Sequence, residues 1–186
     1  MCKTAVASDK RHKGTKCLSL HQDFRMLKKL MEKKAVFAGS FDPFTAGHED
    51  IVRRGLRLFD RIVVGVGYNI KKQGFLPMDN RVRLIRDVFR DEPRVQVEAY
   101  EGLTTDFCRR QGATVLLRGL RSVDDFESDR TIDAINKQLD PEIETCYLFT
   151  APALGAISSA VVKELFLHKA DTARLLPSGI ELEKYL

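Results

Sequence analysis

The stretch Ala35-Val36-Phe37-Ala38-Gly39-Ser40-Phe41-Asp42-Pro43-Phe44-Thr45-Ala46-Gly47-His48 decides the fold. Its apolar start, Ala35–Ala38, predicts a short buried strand, and His48–Leu58 has helical spacing through Ile51, Leu56 and Phe59. Between them lie a glycine turn and an Asp-Pro step that biases the chain away from helix. A strand running through a glycine turn into a helix aims backbone N–H groups and an imidazole at one point. That point suits a phosphate whose charge grows during reaction.

Strand and helix patterns alternate onward from this unit. Arg61–Gly67 is a β-branched run of the kind covered on both faces. A loop over Tyr68–Met78 leads to Asp79, an expected N-cap for a helix through Phe89. Val95–Val97 predicts a third strand, Thr104–Gln111 a helix stopped by Gly112, and Thr114–Leu117 a fourth strand. Ser122 and Asp125 resemble a capping box opening a helix to about Leu139. Ile143–Phe149 predicts a fifth strand, Ser158–Leu167 a helix, and Pro177 introduces a short C-terminal helix. The expected fold class is α/β: a Rossmann-like, doubly wound, five-stranded parallel sheet with helices on both faces. In such a sheet ligands bind beyond the carboxyl ends of the strands. Loops 39–47, 68–78, 118–121 and 150–157 are therefore expected to share one cleft.

With 186 residues, the chain can build one domain with a substantial core. No apolar run approaches the length of a membrane helix, and no secretory leader is evident, so a cytoplasmic location is expected. Cys2, Cys17, Cys108 and Cys146 are scattered, without Cys-x-x-Cys spacing, and read as free thiols. The net charge of +5 is concentrated before the first strand, in Lys3, Lys10, Arg11, Lys13, Lys16, Arg25, Lys28 and Lys29. Residues 1–33 are expected to form a basic extension, disordered or partly helical. A tail for RNA or an anionic surface is the alternative, although no aromatic platform interleaves these charges. Neither a nucleic-acid nor a membrane partner is expected for the folded part.

The chemistry-bearing residues fall in the expected cleft. Ser40 offers a hydroxyl and an N–H to a phosphate, and Gly47 lets a ligand approach the main chain. His48 stands at a helix start directly after a buried strand, where its ring could donate to a phosphate oxygen; the sequence leaves its protonation state open. Arg118 and Arg121 bracket Gly119-Leu120 immediately after the fourth strand. Guanidinium groups there suit phosphate clamping, with surface ion pairing as the alternative. Lys71 and Lys72 could reach the same cleft, and Ser158 and Ser159 open a helix whose N–H groups could hold a phosphate. Among the acids Asp124, Asp125, Glu127 and Asp129, one could meet a ribose or an arginine. Neither a P-loop nor a Gly-x-Gly-x-x-Gly fingerprint occurs. Metal-ligand spacing is also missing, so no protein metal site is expected and Mg²⁺ is expected to arrive on nucleotide phosphates.

Thr45-Ala46-Gly47-His48, Lys71-Lys72, Arg118-Gly119-Leu120-Arg121, Asp125-Phe126-Glu127, Pro141–Thr145 and Ile157-Ser158-Ser159 together carry a family resemblance. Residues 34–167 resemble the phosphopantetheine adenylyltransferases of bacterial coenzyme A biosynthesis. That family belongs to the nucleotidyltransferase superfamily marked by a Thr/His-x-Gly-His motif. The resemblance implies a nucleotidyltransferase domain over 34–186 that transfers AMP from ATP to 4′-phosphopantetheine, yielding dephospho-coenzyme A and pyrophosphate.

It also implies that Ser40, Lys71, Thr104 and Arg118 contact phosphopantetheine. By the same carry-over Ser40, Phe41, His48, Gly119, Leu120, Arg121, Asp129, Leu154, Gly155, Ala156, Ile157, Ser158, Ser159 and Ala160 contact ATP. His48 becomes the catalytic residue, stabilising the transition state. Mg²⁺, a homohexamer and competition by coenzyme A are further family expectations. The chain departs from the family pattern at Asp129 (usually Glu), Ser128 (often Tyr), Leu154 (often aromatic), Ala160 (usually Ser) and Ile70 (usually Pro). Another phosphorylated acceptor, such as nicotinamide mononucleotide or glycerol phosphate, is the alternative within the superfamily.

Overall fold

The computed structural model describes residues 32–68 and 74–186. Strands β1 (Lys34–Gly39), β2 (Arg61–Gly67), β3 (Val95–Tyr100), β4 (Val115–Leu120) and β5 (Glu144–Phe149) form one parallel sheet ordered β3-β2-β1-β4-β5. The connecting helices are α1 (Ala46–Gly55), α2 (Met78–Val88), α3 (Thr104–Gln111), α4 (Val123–Leu139) and α5 (Ser159–Leu167). This is the doubly wound α/β fold that the alternating pattern predicts.

Side-chain alternation along β1 shows how both faces are covered. Ala35 and Phe37 pack with Ile51 and Val52 of α1, Leu84 and Ile85 of α2, and Val162 of α5. Val36 and Ala38 face the other way, into a core holding Val63, Leu116 and, from α3, Phe107 and Cys108. Because both faces are apolar, the central strands lack polar alternation. β1 has β2 on one side and β4 on the other, so strand order switches between β1 and β4. The carboxyl ends of those two strands open a crevice at the switch point.

Local boundaries differ from the sequence expectation in ways that have physical causes. Helix α1 ends at Gly55, short of Leu58, and Leu56 forms its C-cap. Pro77 rather than Asp79 precedes α2, which places the Asp79 carboxylate in the first turn, where the helix dipole favours it. Only half of the expected capping box opens α4. Ser122 Oγ accepts from the Asp125 N–H (3.2 Å), whereas the Asp125 carboxylate turns to the Arg121 N–H (2.9 Å). After Pro177 the chain forms a 3₁₀ turn at Leu182–Tyr185, not an α-helix. Tyr185 is buried there and donates to Asp87 on α2 (2.8 Å).

Cys108 is buried and Cys146 partly so, and both are free thiols. Among the described residues no helix is long and apolar enough to cross a membrane. The expected basic extension (apart from Glu32 and Lys33) and the Lys71-Lys72 pair lie outside the described residues.

Candidate active site

His48 is held by the start of its own helix. Thr45 is the N-cap of α1, and its Oγ1 accepts from the His48 N–H (3.4 Å). In return the Thr45 N–H donates to His48 Nδ1 (3.0 Å). A histidine thus occupies the capping-box position that Glu or Gln usually takes. Since Nδ1 accepts a backbone N–H, the proton of the neutral ring resides on Nε2. The imidazole packs against Phe41 and Phe44, with ring centroids 5.1 and 5.3 Å away. Burial among these rings, then the positive charges of Arg121 and Arg118, lower its pKa to about 4. His48 is therefore a neutral N–H donor near pH 7 in the free protein.

The loop carrying His48 is braced from the neighbouring strand connection. Asp42 accepts from the backbone N–H groups of Phe75 (2.7 Å) and Leu76 (2.8 Å), and Arg81 Nε lies 3.3 Å from the same carboxylate. Arg81, buried on α2, also donates to the carbonyls of Leu76 (2.9 Å) and Ser40 (3.2 Å). Phe41 adopts a left-handed φ of 47°, unusual for a bulky residue and held by aromatic packing on three sides. A Cβ on Gly39 would stand 2.9 Å from the Phe41 ring, so only glycine leaves that ring its place. The Asp42–Pro43 peptide is cis, and Ser159 Oγ donates to the Pro43 carbonyl (2.8 Å).

Both arginines are engaged by acids of α4. Arg118 grips Asp129 through Nε–Oδ2 (3.0 Å) and Nη2–Oδ1 (2.6 Å), and Nη1 donates to the Ala38 carbonyl (2.8 Å). A guanidinium has five N–H donors, so one on each Nη remains for a ligand. Arg121 makes a similar two-point contact with Asp125, both distances 2.9 Å. Gly119 between them is set by packing: a Cβ there would meet Ile51 of α1 at 2.8 Å.

Two cavities meet at this wall. The larger, about 440 Å³, is lined by Ser40, Phe41, Gly47, His48, Arg118, Gly119, Arg121, Asp129 and the run Ile157–Ala160. The smaller, about 250 Å³, is lined by Ser40, Thr104, Arg118, Asp129, Asn136 and Tyr147. Gly39, Ser40, Arg118 and Asp129 belong to both. Most of the residues singled out in the sequence therefore converge. Leu120, buried in the core, and Leu154, Gly155 and Ala156 line neither cavity. Thr104 is shared with Tyr100, its Oγ1 lying 2.8 Å from the phenol oxygen.

Sequence reading missed Asp42 and Arg81 as braces, Thr45 as the residue that orients His48, and Tyr147 as a wall. Only Thr45 carried a local signal, its position three residues before His48 at a helix start. Ser158 is the N-cap of α5, as its position suggested, accepting from the Val161 N–H (3.1 Å).

A neutral imidazole N–H, two guanidinium groups and a helix N-terminus surround one cavity at the switch point of a parallel sheet. Nothing in this set is a strong nucleophile, and all of it stabilises oxyanions. Fold and site together define a nucleotidyltransferase-like phosphate site. Residues 36–165 match the family described as Cytidylyltransferase-like. The chain is 44% identical over 150 residues to a phosphopantetheine adenylyltransferase of Bacteroides fragilis, covering 81% of this chain and 99% of the relative. It is 43% identical over 152 residues to the phosphopantetheine adenylyltransferase of Flavobacterium johnsoniae, covering 82% and 99%. Among solved structures, a bifunctional NMN adenylyltransferase/ADP ribose pyrophosphatase from Francisella tularensis shares the fold, with a TM-score of 0.63 and 13% identity. The match spans 82% of this chain and 47% of that one. This chain belongs to the phosphopantetheine adenylyltransferase family of cytidylyltransferase-like enzymes.

Proposed function

We propose that this chain transfers AMP from ATP to the phosphate of 4′-phosphopantetheine, giving dephospho-coenzyme A and pyrophosphate. The single observation that carries the reading is the pair of cavities sharing Ser40 and Arg118, beside a neutral His48. ATP occupies the larger cavity and the pantetheine arm the smaller, so the acceptor phosphate meets the α-phosphorus at their shared wall.

An acceptor-phosphate oxygen attacks the α-phosphorus, and the bond from that phosphorus to the α–β bridging oxygen breaks as pyrophosphate leaves. The acceptor is already an anion and needs no base, so catalysis consists of positioning and charge stabilisation. His48 Nε2–H donates to the α-phosphate as its charge rises, and its neutrality costs no proton transfer. Arg118 holds the acceptor phosphate with its two remaining N–H groups, assisted by Ser40, Thr104 and Lys71. Arg121 and the N–H groups at Ser158–Ala160 hold the departing phosphates, Phe41 and Gly119 line the nucleotide cavity, and Asp129 acts by holding Arg118. Ile157 lines the nucleotide cavity, and Leu154, Gly155 and Ala156 approach ATP from just before it in the chain.

Among the described residues no group of three His, Cys, Asp or Glu side chains could hold a metal ion. Mg²⁺ enters on the phosphates of ATP, whose hard oxygen ligands suit it. Exposed Ile132, Ile135 and Leu139 on α4 and Phe149 on edge strand β5 support self-association, for which the family resemblance implies a homohexamer. A cytoplasmic location fits the free thiols and the metabolic substrates. Coenzyme A, which shares the pantetheine arm, competes for the smaller cavity.

Pyrophosphate release from ATP, Mg²⁺ and 4′-phosphopantetheine tests the reading. Release that depends on phosphopantetheine and stops on chelation of Mg²⁺ is expected. Release only with nicotinamide mononucleotide or glycerol phosphate would overturn the acceptor assignment.

A further inference from the structure

Tyr147 presents an unexplained cost. Its hydroxyl is buried and makes no hydrogen bond, and no other buried side-chain nitrogen or oxygen among the described residues is left this way. Phenylalanine would fill the same space without leaving a polar atom unpaired, so a bare phenol in a packed wall calls for a partner at some stage of the working cycle. Its surroundings identify one. In the β4–β5 register Tyr147 pairs with Arg118, so the two side chains leave the same face of the sheet side by side. Its ring packs edge-on against Phe126 of α4, one turn before Asp129. Burial, and then the nearby carboxylates of Asp133 and Asp129, raise the phenol's pKa. Asp133 already accepts from the Thr145 hydroxyl. Each oxygen of Asp129 accepts one hydrogen bond from Arg118 and keeps a lone pair for a second donor.

We propose that Tyr147 is a positioning residue for the acceptor: when the acceptor phosphate draws on the Arg118 fork, the Tyr147 O–H takes over an Asp129 oxygen. The inference rests on the assignment of Arg118 to the acceptor phosphate. A doubly charged phosphate on the two remaining N–H groups weakens the guanidinium's hold on the carboxylate, and the nearly buried carboxylate then gains from a second donor. Tyr147, beside Arg118 on the neighbouring strand, supplies it.

Calorimetric titration of the full chain with 4′-phosphopantetheine, and separately with ATP, tests this in the wild type, Tyr147→Phe, Asp129→Asn and the double variant. Tyr147→Phe is expected to weaken phosphopantetheine binding about tenfold, the scale of a lost hydrogen bond to a charged group. ATP affinity and melting temperature are not expected to fall. In the Asp129→Asn background the effect of Tyr147→Phe on phosphopantetheine should largely vanish. Unchanged phosphopantetheine affinity in Tyr147→Phe, or an equal loss in both backgrounds, would overturn the exchange while leaving the acceptor assignment standing. A lower melting temperature for Tyr147→Phe would also overturn it, because the phenol would then be bonded in the free protein. A wild type that binds ATP but not phosphopantetheine would instead overturn the acceptor assignment, and the exchange with it.

Discussion

Arg118 and Asp129 hold each other through two parallel contacts of 3.0 and 2.6 Å on the wall common to both cavities. Asp129 is nearly enclosed, its side chain 10% exposed, while the Arg118 side chain remains 31% exposed and lines both cavities. Arg118→Ala therefore has two separable effects. Acceptor KM should rise at least tenfold with ATP KM little changed, as read by steady-state kinetics. Stability should fall by about 1–2 kcal/mol, because Asp129 is left without its cation in a partly screened site. Urea denaturation should find the Arg118→Ala/Asp129→Ala double variant more stable than Arg118→Ala alone.

Removing the His48 N–H donor should cost about 10²–10³ in kcat without loss of the fold, a magnitude typical of one transition-state donor. Single-turnover AMP transfer by His48→Ala, with circular dichroism to verify folding, measures this. Turnover near that of the wild type would take the role from His48.

The lowered pKa of His48 also predicts a stability profile. Its pKa is about 4 in the folded chain and about 6.5 unfolded, so between those values the unfolded chain binds more protons. Stability is thus fully present above about pH 6.5 and declines as pH falls toward 4. The full shift corresponds to about 3 kcal/mol, reduced by the opening of the ring toward the cavity. Urea titrations at stepped pH should show a steeper acid loss for the wild type than for His48→Gln. Activity should show no His48 titration between pH 5 and 8.

Asp42 joins two loops and pairs a buried arginine, so Asp42→Ala leaves the Arg81 charge uncompensated. A loss of about 3 kcal/mol is expected in urea denaturation. Activity should fall as well, because Phe41 and His48 lose the brace that fixes their loop. Arg81→Met in the Asp42→Ala background should recover part of the stability.

At Gly119 the close approach of Ile51 sets the outcome. Gly119→Ala should destabilise by about 1–3 kcal/mol, the usual range for overpacking. Ile51→Val in the same chain should recover part of that loss in thermal melts.

The order of strands and helices was legible because each buried strand is a short apolar run and each helix carries its own periodicity and stops. His48, Arg121 and Ser158 were legible too, since each immediately follows a strand or opens a helix, where parallel sheets place ligands; Arg118, expected just after a strand ending at Leu117, instead lies inside β4, which runs on to Leu120. Helix ends were less so: Pro77 rather than Asp79 starts α2, because capping there follows the loop that Asp42 holds. Asp42 and Arg81 lie 39 residues apart and meet only through tertiary packing, and nothing local in either residue marks the contact.

The sequence by itself determined the sheet, the switch-point loops and the kinds of groups that face them, because these depend on periodicity and on residues next to strand ends. Tertiary structure alone decided the charge state of His48, which depends on the three rings and two guanidinium groups gathered around it. It also decided that both arginines meet acids of α4 in the free protein, and that the Tyr147 phenol stands beside one of those pairs without a partner. Those outcomes depend on distances between residues far apart in the chain, and such distances exist only once β1, β4, β5 and α4 have packed.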